Sequence, residues 1–476
     1  MRKPCGVAAV PRPMARTLGA VLVCAIASVP ACWPGHEGAV SRYREAADLI
    51  RETGLREEGA IDFLRRITST GPRLTGSEGA AAAVEQGRRL MLEMGLDRVH
   101  LEPVTVNRWT RGPKEEARVV GSASLGTVPL AVCALGGSVA TPDDGLTAPV
   151  VEVGSFEELE RLGPAAGGRI VFFNRPMDRA RIDAFAAYGG AADQRVRGAA
   201  EAARHGAVAV LVRSLTFRTD DHPHTGLMTY AEGVTRIPAA AVSTSGADLL
   251  SALLKKEGTV SVHLKMGPRD EGPVPSANVV GEITGTDLPG EIILLGGHLD
   301  SWDLGTGAHD DGAGCAASLE ALRLFKALGL RPKRTVRAVL FMDEEFGGTG
   351  GRFYARAGER MGERHLVAME SDRGGFLPLG LAGGGSDAGA TRRLGRWADL
   401  VRPLGTATLG PGGGGVDVGP IVQQGAVPLS VIPNAQAYFD VHHSALDVLP
   451  SVEPRELEFQ AIILATFAYV LAQEGI

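Results

Sequence analysis

A histidine and several acids follow an apolar run that ends at His298. The segment EIILLGGHLDSWDLGTGAHDDGAG, residues 291–314, places Asp300 and Asp310 after that histidine. An imidazole and carboxylates can hold a divalent metal ion, and a hydrolytic site also needs an open position for water and a nearby base. Asp300 is placed to orient the imidazole as a hydrogen-bond acceptor. We interpret this segment as half of a hydrolytic metal site.

Three later segments offer the other half. Asp343-Glu344-Glu345 follows the apolar run AVLFM, Glu370-Ser371-Asp372 follows another, and YFDVHHSALDVL at 438–449 contains His442 and His443. Each segment alone is more often a turn, a helix cap or a solvated acidic pair. Carboxylates beside a buried sheet are costly without a partner, however, so a bound cation accounts for all of them together.

The number and type of these side chains favour two zinc ions. One tetrahedral ion cannot use all the carboxylates, whereas a bridging carboxylate lets two ions share one water. The mixture of histidine and carboxylate favours zinc over calcium or magnesium. Glu344 and Glu345 point in different directions, so one can bind metal while the other accepts a proton from water. Either His442 or His443 completes the site.

The elements around these residues predict how they are brought together. Apolar strands alternate with helices through ANVVGEIT, EIILLGGH, RTVRAVLFMD and HLVAMESD. This order predicts an α/β fold with a mixed, largely parallel sheet covered by helices. Ligands gather at the carboxyl ends of such strands. The polar clusters that start at His298, Asp343 and Glu370 should therefore meet at one edge.

The rest of the chain predicts a second, smaller α/β unit. A Pro/Asp/Gly cluster at 139–147 marks a boundary, and alternating strands and helices continue to a return linker, PRDEGPVP, at 268–275. We expect a first segment of the main domain at 41–139, an insert at 140–269 and a second segment at 270–476. Strands are expected at 118–120 and 128–135.

Within the insert we predict one Ala-rich helix at 184–205 and a loop, DDHPHTG, at 220–226. That loop contains His222 and His224. It either reaches over the cleft or holds another metal ion.

The first 32 residues are typical of an export signal. Basic residues that include Arg2, Lys3 and Arg16 precede LGAVLVCAIASVPA, which is short for a permanent anchor. The ending VPAC resembles a bacterial lipobox, so a lipid anchor at Cys32 and ordinary cleavage are both open. We expect an exported protein: secreted, periplasmic or tethered. A net charge of −6 without a basic block gives no reason to expect nucleic acid.

Four segments resemble the M28 zinc peptidases, particularly the plasma glutamate carboxypeptidase (carboxypeptidase Q) branch: GGHLDSWDLGTGAHDDGAG, FMDEEFGGTGG, MESDRGG and YFDVHHSALD. The resemblance implies a zinc exopeptidase fold of the phosphorylase/hydrolase-like type. The inserted unit is similar to a protease-associated (PA) domain.

The resemblance also implies a role for each residue. Glu344 is the general base, and Asp447 supports the site from behind His443, whereas His442 does not fit the family's pattern. The metal ligands are His298, Asp310 as the bridge, Glu345, Asp372 and His443. The Asp310-Asp311 peptide bond is expected to be cis. His309 departs from the family's pattern and is expected to point away from the metals.

The implied activity is that of an exported dizinc exopeptidase acting on dipeptides or short peptides. A hydroxide that bridges the metals attacks the peptide bond, and Glu344 takes up and returns a proton. Aminopeptidase, carboxypeptidase and dipeptidase specificities stay open, as does a homodimer. The alternative is a non-catalytic receptor or binding module on the same fold, but every ligand position and the base are present. A serine hydrolase would need G-x-S-x-G, which the chain lacks.

Overall fold

Two eight-stranded sheets organise the protein. The computed structural model describes residues 36–406 and 408–476. The strands are β1 (Asp97–Thr110), β2 (Glu116–Ser122), β3 (Gly126–Leu130), β4 (Val132–Ala134), β5 (Leu146–Val153), β6 (Ile170–Phe173), β7 (Ala209–Arg213), β8 (Ala239–Val242), β9 (Ser261–Lys265), β10 (Arg269–Ile283), β11 (Leu288–His298), β12 (Arg334–Phe341), β13 (Arg364–Glu370), β14 (Pro378–Gly383), β15 (Leu409–Gly410) and β16 (Val427–Pro433).

Helices cover both sheets. They are α1 (His36–Glu57), α2 (Gly59–Thr68), α3 (Glu78–Glu93), α4 (Phe156–Leu162), α5 (Ala184–Gly189), α6 (Ala192–Arg204), α7 (Thr244–Glu257), α8 (Ala313–Ala327), α9 (Thr349–Met361), α10 (Ala388–Gly395), α11 (Gly419–Gln423), α12 (Tyr438–Val441) and α13 (Pro454–Glu474). Among the described helices, none is both long and apolar enough to span a bilayer.

The first sheet has the order β1-β10-β12-β11-β13-β16-β14-β15. Its centre, β12-β11-β13-β16, is parallel, and antiparallel strands lie on both sides of it. The prediction of a mixed, largely parallel sheet is confirmed. Residues 292–298 of β11 and 335–341 of β12 are all buried, which explains why both strands read as continuous apolar runs.

The side chains of β11 alternate between two cores. Ile293 and Leu295 join the core under α1, α2, α8 and α13, while Leu294 joins the core under α9 and α11. Ser77 caps α3 by accepting a hydrogen bond from the amide of Ala80 at 3.1 Å. These packed helices fix the sheet whose edge carries the polar clusters.

The second sheet has the order β3-β2-β9-β5-β6-β7-β8-β4. It takes in β2, β3 and β4, at residues 116–134, so it begins upstream of the boundary expected at 140. A strand's sequence does not reveal which sheet it joins. The strand expected at 128–135 is two strands separated at Ala131, and the helix expected at 184–205 breaks into α5 and α6 at Gly190. Adjacent glycines, 189 and 190, disfavour a continuous helix.

Candidate metal centre

Three neighbouring parallel strands deliver polar residues to one edge of the first sheet. His298 is the last residue of β11, residues 343–345 follow β12, and Glu370 ends β13 two residues before Asp372. Strands β12, β11 and β13 lie side by side. The predicted meeting of the three clusters is therefore present in the structure.

Asp310 lies at the middle of the cluster. Its Oδ1 is 3.1 Å from Nε2 of His298, and its Oδ2 is 3.3 Å from Nε2 of His443. The peptide bond from Asp310 to Asp311 is cis, as expected. One carboxylate thus faces two imidazoles, each through a different oxygen, which is the arrangement that a bridging ligand requires.

Two further carboxylates flank the histidines. Nε2 of His443 is 3.2 Å from Oε2 of Glu345, and Nε2 of His298 is 3.7 Å from Oδ1 of Asp372. The five predicted ligands therefore lie in one cluster around Asp310. Among the described residues, donor atoms within 4.8 Å of one another form three groups with the spacing that a metal ion needs: His298 with Asp310 and Glu345, Asp310 with His442 and His443, and His298 with Asp311 and Asp372.

Main-chain carbonyls orient both imidazoles. Nδ1 of His298 lies 2.9 Å from the carbonyl oxygen of Asp300, and Nδ1 of His443 lies 3.3 Å from that of Thr225. Each carbonyl accepts only from a protonated Nδ1, which leaves the Nε2 lone pair directed at the carboxylates. The two rings are thus set in the tautomer that binds metal.

The carboxylate of Asp300 has a different task from the predicted one. It lies 3.9 Å from Nδ1 of His298, too far for a hydrogen bond. It accepts instead from the amides of Asp343 at 2.8 Å, Glu344 at 3.2 Å and Glu345 at 3.3 Å. Asp300 orients His298 through its carbonyl and holds the segment of the proposed base through its side chain. The sequence alone does not show which task belongs to the carbonyl of Asp300 and which to its carboxylate.

Asp447 supports the bridging residue. Its carboxylate accepts from the amide of His309 at 2.7 Å and from that of Asp310 at 3.1 Å. Burial, followed by the charge of Asp310, raises the pKa of Asp447 to about 7. His309 itself points away from the cluster, as expected, but it is buried: its ring nitrogens contact Ser451 and Gly375, both at 3.1 Å. Neither nitrogen is free for metal.

His442 lies closer to the cluster than the family pattern implies. Its ring stacks on that of His443 with centroids 3.5 Å apart, and its Nε2 is 3.6 Å from Oδ2 of Asp310. His443 contacts both Asp310 and Glu345, whereas His442 contacts only the former in the described structure. The geometry therefore favours His443 as the ligand, with His442 beside it.

Sequence reasoning missed two residues that hold the ligands. The indole Nε1 of Trp302 donates to Oε2 of Glu345 at 2.5 Å, and the carboxylate of Asp311 accepts from the amides of His298 at 3.0 Å and Gly314 at 2.9 Å. Gly314 is essential to this packing, because a Cβ there would overlap the carbonyl oxygen of Ser371. A single sequence carries no signal for either contact.

The loop at 220–226 reaches the cluster from the second sheet. Nδ1 of His224 is 2.7 Å from the carbonyl of His442, and the amide of Thr225 donates to the carbonyl of His443 at 2.9 Å. The interpretation of this segment as a loop over the cleft agrees with these contacts. His222 lies outside every metal-compatible group among the described residues.

The pKa shifts in the cluster indicate an excess of negative charge, which a bound cation would neutralise. Burial opposes charge on His298 and His443, yet the adjacent carboxylates outweigh it and raise the pKa of both. Burial raises the pKa of Glu344, and the charges of Asp372 and Glu345 add to this effect. Within the part of the chain that the structure describes, histidines are thus the only basic side chains paired with the acids of the cluster.

A divalent metal fits the donors that are present. Oδ2 of Asp310, Oε1 of Glu345 and Oδ1 of Asp372 are buried and make no hydrogen bond in the described structure. No lysine or arginine of the described residues lies within 4 Å of these carboxylates. Buried carboxylate oxygens without donors are ordinarily bound to metal or protonated, and the nitrogen and oxygen donors suit zinc.

The model of peptidase family M28 matches residues 278–465. Carboxypeptidase Q from Bos taurus is 39% identical over 406 residues, covering 85% of this chain and 83% of that protein. Carboxypeptidase Q from Homo sapiens is 37% identical with the same coverage.

The chain is also similar to solved peptidase structures. The peptidase M28 precursor from Shewanella amazonensis SB2B has a TM-score of 0.87 at 36% identity, covering 92% of this chain and 98% of that one. The zinc aminopeptidase BSAP from Bacillus subtilis has a TM-score of 0.64 at 19% identity, with coverages of 88% and 96%, and shares the fold.

Proposed function

The chain belongs to peptidase family M28 and is a zinc-dependent exopeptidase, and from this premise we propose that it is an exported enzyme that uses two zinc ions to hydrolyse dipeptides or short peptides. The observation that carries the proposal is Asp310, whose two oxygens face His298 and His443 separately. Asp372 belongs to the first side and Glu345 to the second. Each side offers one imidazole and one carboxylate in addition to the shared Asp310.

Zinc, when bound, lowers the pKa of water towards about 7 and polarises the scissile carbonyl. The chain supplies the proton transfer. Glu344 is the proposed general base; it is only partly buried, and its carboxylate feels the charges of His298, Asp372 and Glu345. Burial raises the pKa of Glu344, which favours both uptake of a proton from water and its return to the leaving amine.

The main-chain amides of residues 343–345 donate hydrogen bonds to the carboxylate of Asp300, and these bonds fix the position of the Glu344 backbone. Asp343 has φ of 77°, a strained conformation for a residue other than glycine. Such strain in a segment that carries a base supports a catalytic role. The non-catalytic receptor alternative gains nothing from the structure, since it would not need Glu344 held in this way.

The insert is proposed to be a PA-type unit, and its loop at 224–226 to close one side of the cleft. The signal proposed at residues 1–32, including the candidate lipid anchor at Cys32, lies outside the described residues. Export therefore rests on the sequence of that segment. The curated relatives are named carboxypeptidases, which supports action at the carboxyl end of peptides.

Glu344→Gln tests the mechanism. This variant should retain two zinc ions per chain but lose at least about 1,000-fold in kcat on a dipeptide, because the amide cannot accept the proton. Zinc is measured by mass spectrometry of the dialysed protein, and turnover by chromatography of the products. Glu363→Gln, which changes a glutamate bound to Arg337 far from the cluster, is the control. Turnover near the native level in Glu344→Gln would remove Glu344 from the proposal.

A further inference from the structure

Arg195, on α6, is a buried cation with no acidic partner among the described residues. Four arginines of the described residues are buried: Arg73, Arg111, Arg195 and Arg337. Arg111 binds the carboxylate of Asp303 with two nitrogens, at 2.5 and 2.8 Å, and Arg337 donates to Glu282 at 2.7 Å. Arg73 donates to main-chain carbonyls through all its guanidinium nitrogens. Arg195 differs from all three.

The guanidinium of Arg195 is largely unsatisfied. Its Nη1 lies 3.5 Å from the carbonyl of Thr225, at the limit of a hydrogen bond, and its Nε is buried without a partner. Only 8% of the residue is exposed. Its contact with the ring of Tyr188, 5.4 Å from the centroid, uses none of its N–H donors. A buried guanidinium with free donors is expensive unless an anion binds there.

The position of Arg195 indicates which anion. A Cβ at Gly226 would lie 2.5 Å from Cζ of Arg195 and 2.8 Å from Nδ1 of His443, so these two groups flank the same glycine. The Nε2 of that histidine faces Asp310 and Glu345. The arginine therefore lies beside the ring of a proposed metal ligand, on its Nδ1 side.

We propose that Arg195 binds the free α-carboxylate of the residue that leaves. This inference rests on the proposed function and names its substrate class: dipeptides and peptides whose last residue follows the scissile bond. In such a substrate the carboxylate carbon lies within about 4 Å of the scissile carbon. A guanidinium beside the ligand His443 is at a suitable range for it, and its planar fork matches a carboxylate with two parallel hydrogen bonds.

Arg373 is the competing cation. It follows Asp372, also has no acidic partner in the described structure, and lies over the ring of Phe185 at 4.6 Å. Unlike Arg195 it is only partly buried, so water can satisfy its donors. The buried arginine is therefore the one that requires an anion.

The test compares leucyl-alanine with leucyl-alanine amide on the zinc-loaded enzyme. The native protein should cleave the free acid with a kcat/KM about 100-fold higher than the amide. Arg195→Met should lower kcat/KM about 100-fold for the acid only, which brings the ratio close to one. Arg195→Lys, which keeps the charge without the fork, should preserve an intermediate ratio. Arg197→Met is the matched control, since Arg197 is on the same helix with an exposed side chain.

Zinc content and melting temperature verify that each variant is folded. Equal cleavage of acid and amide by the native enzyme overturns the assignment, as does an Arg195→Met variant that slows both substrates equally. Loss of the acid preference in Arg373→Met but not in Arg195→Met also overturns it. If the zinc-loaded native protein cleaves neither compound nor any other peptide, the proposed function itself fails. Cleavage without preference for the acid removes only the role of Arg195.

Discussion

Buried carboxylates occur in two regions of the first sheet, and they are neutralised in different ways. In the network around Arg337, the guanidinium donates to Glu282 and Glu363, both at 2.7 Å. In the cluster around Asp310, imidazoles are the neighbours, and several carboxylate oxygens have no donor. The first region contains an arginine that neutralises its carboxylates, whereas no described arginine or lysine pairs with the carboxylates of the second.

This difference separates a structural charge network from a metal centre. A carboxylate paired with arginine gains two hydrogen bonds and a fixed geometry, so it leaves no position open. A carboxylate that faces imidazoles can share a metal ion with them, because an imidazole that releases its Nε2 proton becomes a ligand itself. The orphaned oxygens together with the imidazoles beside them, rather than the number of acids, therefore identify the site.

The largest expected effect concerns Asp310→Asn. A carboxamide cannot bridge two ions, so zinc should fall from two ions per chain to one or none, and kcat should fall by about 1,000-fold or more. Metal analysis and turnover of a dipeptide measure both. Two retained zinc ions in this variant would contradict the assignment of Asp310 as the bridge.

Glu282→Gln tests the other region. It leaves Arg337 with one carboxylate fewer, and breaking a buried ion pair should lower the free energy of unfolding by about 3 kcal/mol. Zinc content should stay at the native value, because the change lies outside the cluster. Denaturant unfolding of the zinc-loaded protein measures the loss. A drop in bound zinc without destabilisation would erase the distinction between the two regions.

Trp302→Phe should have a smaller effect on the metal centre. The ring is kept, but the hydrogen bond to Glu345 is lost, so zinc affinity should fall about 10-fold. Competition with a chelator measures the dissociation constant. Trp397→Phe is the control, since the buried indole nitrogen of Trp397 makes no hydrogen bond in the described structure. Equal affinities in the native protein and Trp302→Phe would show that the indole does not tune Glu345.

The smallest effect concerns Glu458, a buried carboxylate that is neutralised in a third way, by a proton. Burial, followed by the charge of Glu320, raises the pKa of Glu458 to about 8, so it keeps a proton where it lacks a cation. The folded state binds more protons than the unfolded state between the ordinary pKa of glutamate and about 8, and stability is therefore lost as pH rises through this range.

Glu458→Gln removes the titrating group, so the variant does not lose stability in this way as pH rises. The variant should melt about 3 °C above the native protein at pH 8 and at the same temperature near pH 4. Thermal unfolding at the two pH values measures the difference. A variant that is stabilised equally at both would show that Glu458 does not titrate in this range.

Much of the site could be predicted because its residues follow strands. His298, Asp343 and Glu370 stand at the ends of apolar runs, and parallel strands place their carboxyl ends on one edge. The support for Glu345 by Trp302 could not be predicted, since it depends on packing between distant segments. The sheet that residues 116–134 join could not be predicted for a similar reason, because a strand's sequence does not identify its partner strands.

The contacts between the loop at 224–226 and the His442-His443 pair have a consequence for biosynthesis. Residues emerge from the ribosome in order, so the loop and four of the five proposed ligands are made well before His443. The amide of Thr225 then has no His443 carbonyl to bind. A nascent chain therefore has no complete centre until His443 has been synthesised, so the four earlier ligands alone cannot assemble the proposed site.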